Sequence, residues 1–237
     1  MMNNHIQRFK ATMMFVNGLR TYHHHTVEGM ELLPTTGGAL VVVNHSLATY
    51  DIMLLAAAIY TDTGRLPRPL LDRLFFKIPI LKEICECYGA VNGSPAIASA
   101  LLQDGEVVTV APGGMRESLR PSSERYKIQW DGRLGFVRLA MKCGVPIVLA
   151  ACPKADDLYD VYPSYTTSWC YRTFRVPIFL ARGFGPTIMP RPIKLTHYLS
   201  EPLQPPAWSG DPEQDEAHVR TFHSMLVKRM EQLMELR

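Results

Sequence analysis

The sequence lacks an apolar run long enough to cross a bilayer. Its longest apolar stretches, such as IMLLAAAIY and VPIVLAAC, fall far short of the roughly 18 residues that a spanning helix needs. A secretory signal is also missing, and the five cysteines are an odd set, which favours reduced thiols over structural disulfides. We therefore expect a soluble or peripheral protein in the cytoplasm.

An excess of charge of either sign is missing too. The chain has 25 Lys and Arg against 22 Asp and Glu, for a net charge of +3. This balance argues against a dedicated nucleic-acid binder but fits the mildly anionic face of a membrane. The sequence also has no Gly-x-Ser-x-Gly elbow, no Walker loop and no dinucleotide-binding glycine motif after a strand. The chain therefore lacks the central residues of serine hydrolases, nucleotidases and dehydrogenases.

Metal-ligand motifs are scarce. His23, His24 and His25 are consecutive, so they cannot all face one ion from a helix, and no cysteine or carboxylate cluster accompanies them. We interpret them as surface histidines. Cys85 and Cys87 have the spacing of neither a redox Cys-x-x-Cys motif nor a usual zinc knuckle. We expect no metal and no redox cofactor.

What is present is an alternation of strand and helix patterns over 237 residues, a length that suits one α/β domain. The strand patterns are ALVVV, EVVTVAP, VPIVLAA and PIKLTHYL, and the helical patterns include DIMLLAAAIY, SPAIASALLQ and RLGFVRLAMKCG. Ser94, Gly144 and Asp211 mark helix ends. The alternation predicts a largely parallel central sheet flanked by helices.

The two ends of the chain have helical periodicity. Residues 1–25 form a predicted amphipathic helix, in which Ile6, Phe9, Met13 and Val16 share one face. Packing of this face on the core is the favoured interpretation, and a position in a lipid headgroup layer is the alternative. We expect a catalytic core over 26–202, a helix over 211–236 with a buried apolar stripe, and a single domain over 1–237.

The stretch VVVNHSLATYD suggests a chemical site. Its valines predict a buried strand, so His45 would emerge in the loop at the strand end and Asp51 would lie in the first turn of the next helix. A neutral imidazole can take a proton from a hydroxyl, and a carboxylate bonded to its other nitrogen would orient it. Taken alone, a His and an Asp at this spacing are more often a turn residue and a helix-start charge than a catalytic pair.

A second polar strand end occurs in EVVTVAPGGMRE. After the strand, backbone N–H groups of the glycine turn and the guanidinium of Arg116 could hold an oxyanion or phosphate. The alternative is a tight turn at Gly113 and Gly114 with a solvated charge pair of Arg116 and Glu117. Two such strand ends on one sheet can face one cleft.

Four sequence blocks occur in the order seen in glycerolipid acyltransferases: NHSLATYD, KIPILKEICECYGAVNGSP, APGGMRESLRPSSERYKIQWDGRLGFVRLAMKCGVPIV and CPKADDLYD. The chain resembles the lysophospholipid acyltransferase superfamily, on its diacylglycerol and monoacylglycerol acyltransferase-like branch. The resemblance covers roughly residues 26 to 202, and the combination is far more specific than any single block.

The resemblance implies that His45 is the general base on the acceptor hydroxyl and that Asp51 holds His45 and stabilises its charged form. The hydroxyl would attack an acyl thioester directly, with acyl-CoA or an acyl carrier protein as donor. Arg116 matches the arginine that commonly contacts the acceptor phosphate. The adjoining substrate-binding turn would consist of Gly113, Gly114, Met115 and Glu117.

Two departures concern the acceptor. Five residues separate His45 and Asp51 where the familiar pattern has four, and Gly-Gly-Met-Arg replaces Glu-Gly-Thr-Arg. Both departures resemble the neutral-glyceride branch, and they weaken the case for a phosphorylated acceptor because Met115 replaces a hydroxyl.

We therefore expect an O-acyltransferase for mono- or diacylglycerol or a lysophospholipid, peripheral on the inner face of a membrane. The alternatives are an acyl thioesterase and a non-catalytic lipid-binding protein. The middle segment LLDRLFFKIPILKEICECYGAVNGSP could line an acyl channel, and a buried helical hairpin is an equal alternative.

Overall fold

The protein is built on a seven-stranded sheet, as a computed structural model shows. The strands lie in the order β1 (Thr26–Glu28), β9 (Thr196–Leu199), β6 (Ile147–Ala151), β2 (Ala39–Val43), β5 (Val107–Val110), β3 (Arg68–Leu71) and β4 (Val91–Asn92). This structure describes residues 2–47, 50–162 and 180–236, with the side chains of 2–10 and of residue 80 left out. All neighbouring strands of the sheet are parallel except β6 and β9. The predicted α/β class with a largely parallel central sheet is confirmed.

The centre of the sheet consists of the three strands that the sequence marks most strongly. They are β2 (Ala39–Val43), β5 (Val107–Val110) and β6 (Ile147–Ala151). β2 lies between the other two, with Val42 in register with both Val110 and Leu149. Because all three run parallel, their carboxyl ends meet at one edge of the sheet, where open α/β sheets hold their ligands.

Both faces of the sheet are covered. Alternate side chains of a strand point to opposite faces, and in β2 Leu40 and Val42 pack with the helices α7 and α8 while Val41 and Val43 pack with α2. The α-helices of the described residues are α1 (Met2–Tyr22), α2 (Tyr50–Thr63), α3 (Arg73–Lys77), α4 (Pro79–Cys87), α5 (Pro95–Gln103), α6 (Gly114–Ser118), α7 (Gly135–Cys143) and α8 (Pro212–Met234).

The predicted helix ends are confirmed. Ser94 Oγ accepts a hydrogen bond from Ile97 N–H at the start of α5, and Asp211 caps α8 in the same way. Gly144 ends α7 in the left-handed conformation, with φ of 64°, which glycine adopts without steric cost. The apolar stripe of the last helix is buried as predicted, through Val219, Phe222, Leu226, Met230 and Leu233.

Several strands were not predicted. They are β1 (Thr26–Glu28), β3 (Arg68–Leu71) and β4 (Val91–Asn92) in the main sheet, and the antiparallel pair β7 (Asp160–Tyr162) and β8 (Leu180–Arg182). They have only two to four residues each, too few to show a period. The predicted strand PIKLTHYL is β9 (Thr196–Leu199), which runs antiparallel to β6.

The middle segment forms helices α3 and α4, which contact each other at the surface. Among the described side chains of this pair, Cys85 is buried, whereas Ile78 and Ile84 are exposed. The alternative of a buried hairpin is therefore wrong. In α1, Met13 and Val16 are buried as predicted, and Ile6 and Phe9 lie outside the side chains that the structure describes.

The interpretation of the three histidines as surface residues is wrong for two of them. His23 is 0% exposed and His25 is 7% exposed, and only His24 lies at the surface. His23 contacts Ile193 O and Tyr50 Oη through its two ring nitrogens, so the protein interior supplies the partners that water would otherwise give.

Cys85, Cys87, Cys143 and Cys152 are free thiols, and Cys170 lies outside the described residues. Within the ranges that the structure describes, no helix has the length and apolarity of a membrane span.

Candidate active site

The loop that follows β2 carries His45, and the first turn of α2 carries Asp51, where the sequence predicts them. The side chain of Asn44 fixes the start of this loop. Its Oδ1 accepts a hydrogen bond from Cys152 N–H at 2.8 Å, and its Nδ2 donates to Cys152 O at 3.5 Å. Since Cys152 follows β6 directly, Asn44 ties together two adjacent strand ends and holds His45 at the edge of the sheet.

His45 is arranged as a neutral base. Its Nδ1 lies 2.9 Å from the carbonyl oxygen of Ser46, which can only accept, so Nδ1 carries the proton and Nε2 keeps its lone pair. Burial lowers the pKa of His45, and the charge of Arg120 lowers it further, while the Ser46 carbonyl and Asp51 oppose the shift. The imidazole is therefore ready to accept a proton at neutral pH.

Asp51 is fully buried and reaches His45 through Ser46. The Ser46 hydroxyl donates a hydrogen bond to Asp51 Oδ1, while the Ser46 carbonyl accepts from His45. The described hydrogen bonds do not join the two side chains directly, in contrast to the expected bond from the carboxylate to the imidazole. Ser46 can bind both residues because its backbone carbonyl faces His45 and its hydroxyl faces Asp51. Asp51 acts on His45 through its charge, which raises the pKa of His45.

Arg120 connects this loop to the glycine turn, and no sequence pattern predicted a role for it. Its guanidinium is buried and donates to the backbone oxygens of His45 and Glu117, both at 3.1 Å, and to Asp156 Oδ2 at 2.5 Å. A buried guanidinium needs such partners to offset its lost hydration. Arg120 therefore holds the backbone of the proposed base in place.

The glycine turn separates its two charged side chains. Arg116 is exposed, and no described residue forms an ion pair with it, whereas Glu117 is 0% exposed. The alternative of a solvated Arg116–Glu117 pair is therefore wrong. Gly113 lies against Glu117, since a Cβ at Gly113 would fall 1.9 Å from Glu117 Oε2. The turn thus needs a glycine at this position for Glu117 to be buried.

The carboxyl group of Glu117 is a weaker acid than that of an ordinary glutamate. Burial raises its pKa to about 7, although Arg120, whose Nη1 lies 3.6 Å from Glu117 Oε1, and the Gln129 N–H favour the ionised form. Oε2 has no hydrogen-bond partner among the described residues. The carboxyl group is therefore half protonated near neutral pH beside a buried cation.

The family model for acyltransferases, described as Acyltransferase, matches residues 24–152 of the chain. The matched segment begins before β1 and ends at Cys152, so it contains His45, Asp51 and the glycine turn. The chain belongs to the acyltransferase family, and the resemblance to glycerolipid acyltransferases is confirmed.

Relatives in animals and bacteria are similar to this chain over about three quarters of its length. The chain is 31% identical over 183 residues to the "DGAT1/2-independent enzyme synthesizing storage lipids" of Bos taurus, covering 77% of this chain and 53% of the relative, and the Homo sapiens protein of that name is also 31% identical, with 77% and 54% covered. An uncharacterized protein of Mycobacterium tuberculosis is 29% identical over 185 residues, with 75% and 51% covered. The chain spans about half the length of these relatives.

A solved structure shares the fold. The 1-acyl-sn-glycerophosphate (LPA) acyltransferase PlsC from Thermotoga maritima superposes with a TM-score of 0.58 at 20% identity, covering 97% of this chain and 80% of that one. At this identity the match supports the architecture of the sheet and its helices, and the site rests on the geometry described above.

Alanine substitutions at the two adjacent glycines distinguish the cost of a steric clash from the cost of an unfavourable backbone conformation. Gly113→Ala should lose about 2–3 kcal/mol of unfolding free energy because the new methyl group must displace Glu117. Gly114 has φ of 54° and open space around its Cβ position, so Gly114→Ala should lose only about 1 kcal/mol. Urea denaturation of both variants measures the difference, and equal losses would contradict the packing of Glu117 on Gly113.

The raised pKa of Glu117 predicts a pH-dependent contribution to stability. The folded protein binds this proton more tightly than the unfolded chain does, so the contribution is present below pH 4.5 and is lost as pH rises through about 7. Across that window Glu117 should reduce the unfolding free energy by up to about 1.4 kcal/mol per pH unit. Glu117→Gln should therefore gain stability relative to wild type as pH rises.

Urea denaturation from pH 4.5 to 8 tests this linkage. Glu231→Gln, at an exposed position of α8, is the control. A difference between Glu117→Gln and wild type that stays constant with pH would contradict the raised pKa.

Proposed function

We propose that this chain transfers a fatty acyl group from a thioester donor to the hydroxyl of a glycerolipid, with His45 as the general base. The observation that carries the proposal is the neutral, buried imidazole of His45, whose Nδ1–H is donated to Ser46 O while Nε2 has no hydrogen-bond partner among the described residues. Membership of the acyltransferase family supplies the class of reaction.

The proposed step begins when His45 Nε2 takes the proton of the acceptor hydroxyl. The hydroxyl oxygen forms a bond to the thioester carbonyl carbon, the carbon–sulfur bond breaks, and the leaving thiolate receives the proton from the imidazolium. Asp51 stabilises the imidazolium by its charge, and Ser46 and Arg120 keep the loop in place. The step needs no metal or redox cofactor.

The donor and the acceptor follow from chemistry and relatives together. We infer acyl-CoA or an acyl carrier protein as donor, since both present a thioester. The relatives named for storage-lipid synthesis support a mono- or diacylglycerol acceptor. Arg116, exposed and without an ion pair among the described residues, supports a lysophospholipid instead, because a guanidinium binds phosphate in a bidentate manner. We favour the neutral glyceride.

We further infer that the protein works on a membrane surface, on its cytoplasmic face. Helices α1 and α4 contact each other, and both expose large apolar side chains: Met14 and Phe15 on α1, Ile84 on α4 and Ile78 just before it. Lys77 and Lys82 are exposed beside them. Apolar side chains with flanking cations are typical of a surface that binds anionic lipid headgroups.

Replacement of His45 by alanine should remove the base. We expect transfer of radiolabelled acyl groups from long-chain acyl-CoA to a panel of mono- and diacylglycerols and lysophospholipids to fall by about 10²- to 10⁴-fold. His218→Ala, a substitution at a partly exposed position of α8, is the matched control and should remain active. Full transfer by His45→Ala would refute the mechanism. Labelled free fatty acid without labelled lipid would identify a thioesterase.

The acid limb of kcat/KM should reflect His45. Because burial lowers the pKa of His45, activity should persist below pH 6.5 and then fall as the ring is protonated. Asp51→Asn keeps an acceptor for Ser46 but removes the charge that raises this pKa, so the acid limb should move to lower pH while the maximal rate falls about tenfold or more. A limb that stays in place would show that Asp51 does not act on the base.

A further inference from the structure

Two buried histidines lie near Asp51, and one of them faces Oδ2, the carboxylate oxygen that Ser46 does not bind. His25 precedes β1 and is 7% exposed, and His197 in β9 is 0% exposed. The strands β1 and β9 are parallel neighbours, and this pairing brings His25 Nε2 to 2.9 Å from His197 Nδ1. Neither histidine takes part in the proposed acyl-transfer step.

The direction of the hydrogen bonds between these groups can be assigned from Arg20. Its Nε–H donates to His25 Nδ1 at 3.2 Å, and a guanidinium can only donate. His25 Nδ1 is therefore unprotonated, and His25 Nε2 carries the proton and donates it to His197 Nδ1. It follows that His197 is also protonated on Nε2.

The proton on His197 Nε2 faces the carboxylate of Asp51. Nε2 lies 3.7 Å from Asp51 Oδ2, and both groups are fully buried. Each of these two atoms has no hydrogen-bond partner among the described residues, although buried polar atoms in proteins nearly always have one. Hydrogen bonds in free enzymes are often long and shorten in the substrate complex. The two atoms are therefore each other's natural partner.

We propose that His197 is a positioning residue that donates a hydrogen bond to Asp51, and that Arg20 and His25 fix its tautomer. The proposal rests on the proposed function, in which Asp51 stabilises the charged form of His45. Asp51 would then be held from two sides, by Ser46 on Oδ1 and by His197 on Oδ2.

The charges around this relay agree with the assignment. Burial, helped by the charge of Arg20, lowers the pKa of His25 to about 2, so His25 stays neutral. The other ionisable groups near Asp51 are His45 and Cys152, and burial raises the pKa of the Cys152 thiol well above its ordinary value. His45 faces Asp51 and Arg120. His197 is therefore the assigned donor to Asp51 Oδ2 within the described part of the chain.

A metal site is the competing interpretation. Asp51, Cys152 and His197 each place one ligand-type atom within 4.8 Å of the others. Ligation by His197 Nε2 would move its proton to Nδ1, and His25 would then need its own proton on Nδ1, against the Arg20 N–H. Thiolate ligation would also require a proton to leave the buried Cys152. The hydrogen-bond directions therefore favour the relay.

Kinetics of two His197 variants test the positioning role. His197→Leu removes the donor, so kcat should fall roughly ten- to hundredfold with little change in KM, as expected for a lost hydrogen bond to a charged group. The acid limb of kcat/KM should move to lower pH, because an Asp51 carboxylate that is no longer held by this donor stabilises the charged form of His45 less well. His197→Gln keeps an N–H near the Nε2 position and should recover most of the rate and the limb.

His223→Gln, at a buried histidine of α8 that packs on Phe136, is the control for loss of a buried ring and should leave the limb in place. A His197→Leu protein with the wild-type rate and limb would overturn the proposal. So would a His197→Gln protein that folds normally and is as impaired as His197→Leu, because the donor would then not be what matters.

Nitrogen-15 NMR of histidine-labelled protein tests the relay without any activity. We expect His25 and His197 in the Nε2–H tautomer, with assignments from His25→Gln and His197→Gln. A His197 ring protonated on Nδ1 would overturn the relay, and stoichiometric zinc in the same sample would identify the metal site. If wild-type protein transfers no acyl group while both tautomers are as expected, the proposed function fails and the relay stands.

Discussion

The site depends on the burial of one cation, Arg120. Its guanidinium lies beneath the loop that carries His45 and is paired with Asp156 and the Glu117 backbone, so three chain segments must converge on it. A buried charge that loses a partner costs several kcal/mol. Loops at the edge of a sheet have few apolar contacts to hold them. The hydrogen bonds of Arg120 to the backbones of His45 and Glu117 therefore hold the end of β2 and the turn after β5 together more firmly than the strand pairing does.

Ser46 and Asn44 likewise each form hydrogen bonds with two groups near the site. Asn44 uses its side chain to complete the backbone hydrogen bonds of Cys152 at the neighbouring strand end. Ser46 uses its carbonyl for His45 and its hydroxyl for Asp51, so one residue sets both the tautomer of the base and the position of the carboxylate. The sequence NHS at the end of a valine strand is thus a set of matched hydrogen-bond partners, in which His45 Nε2 has none among the described residues.

Sequence patterns predict the parts of this protein that depend on local physics. The strands β2, β5 and β6, the helix ends at Ser94 and Gly144, and the positions of His45 and Asp51 follow from β-branched runs and capping residues. Arg120, His25 and His197 could not be predicted, because Arg120 lies 75 residues from His45 and His25 lies 172 residues from His197, and only the tertiary fold brings these partners together. The burial of His23 and His25 was missed for the same reason.

The antiparallel direction of β9 shows how much of the site's chemistry depends on such tertiary features. In a parallel sheet the carboxyl ends of strands meet at the site, and the amino-terminal half of a strand lies remote from it. β9 runs against β6, with Tyr198 opposite Ala151, so its second residue, His197, lies beside Cys152 and within reach of Asp51. The reversed strand β9, which borders the parallel core and pairs with the equally reversed β1, thereby places a buried histidine beside the carboxylate of Asp51.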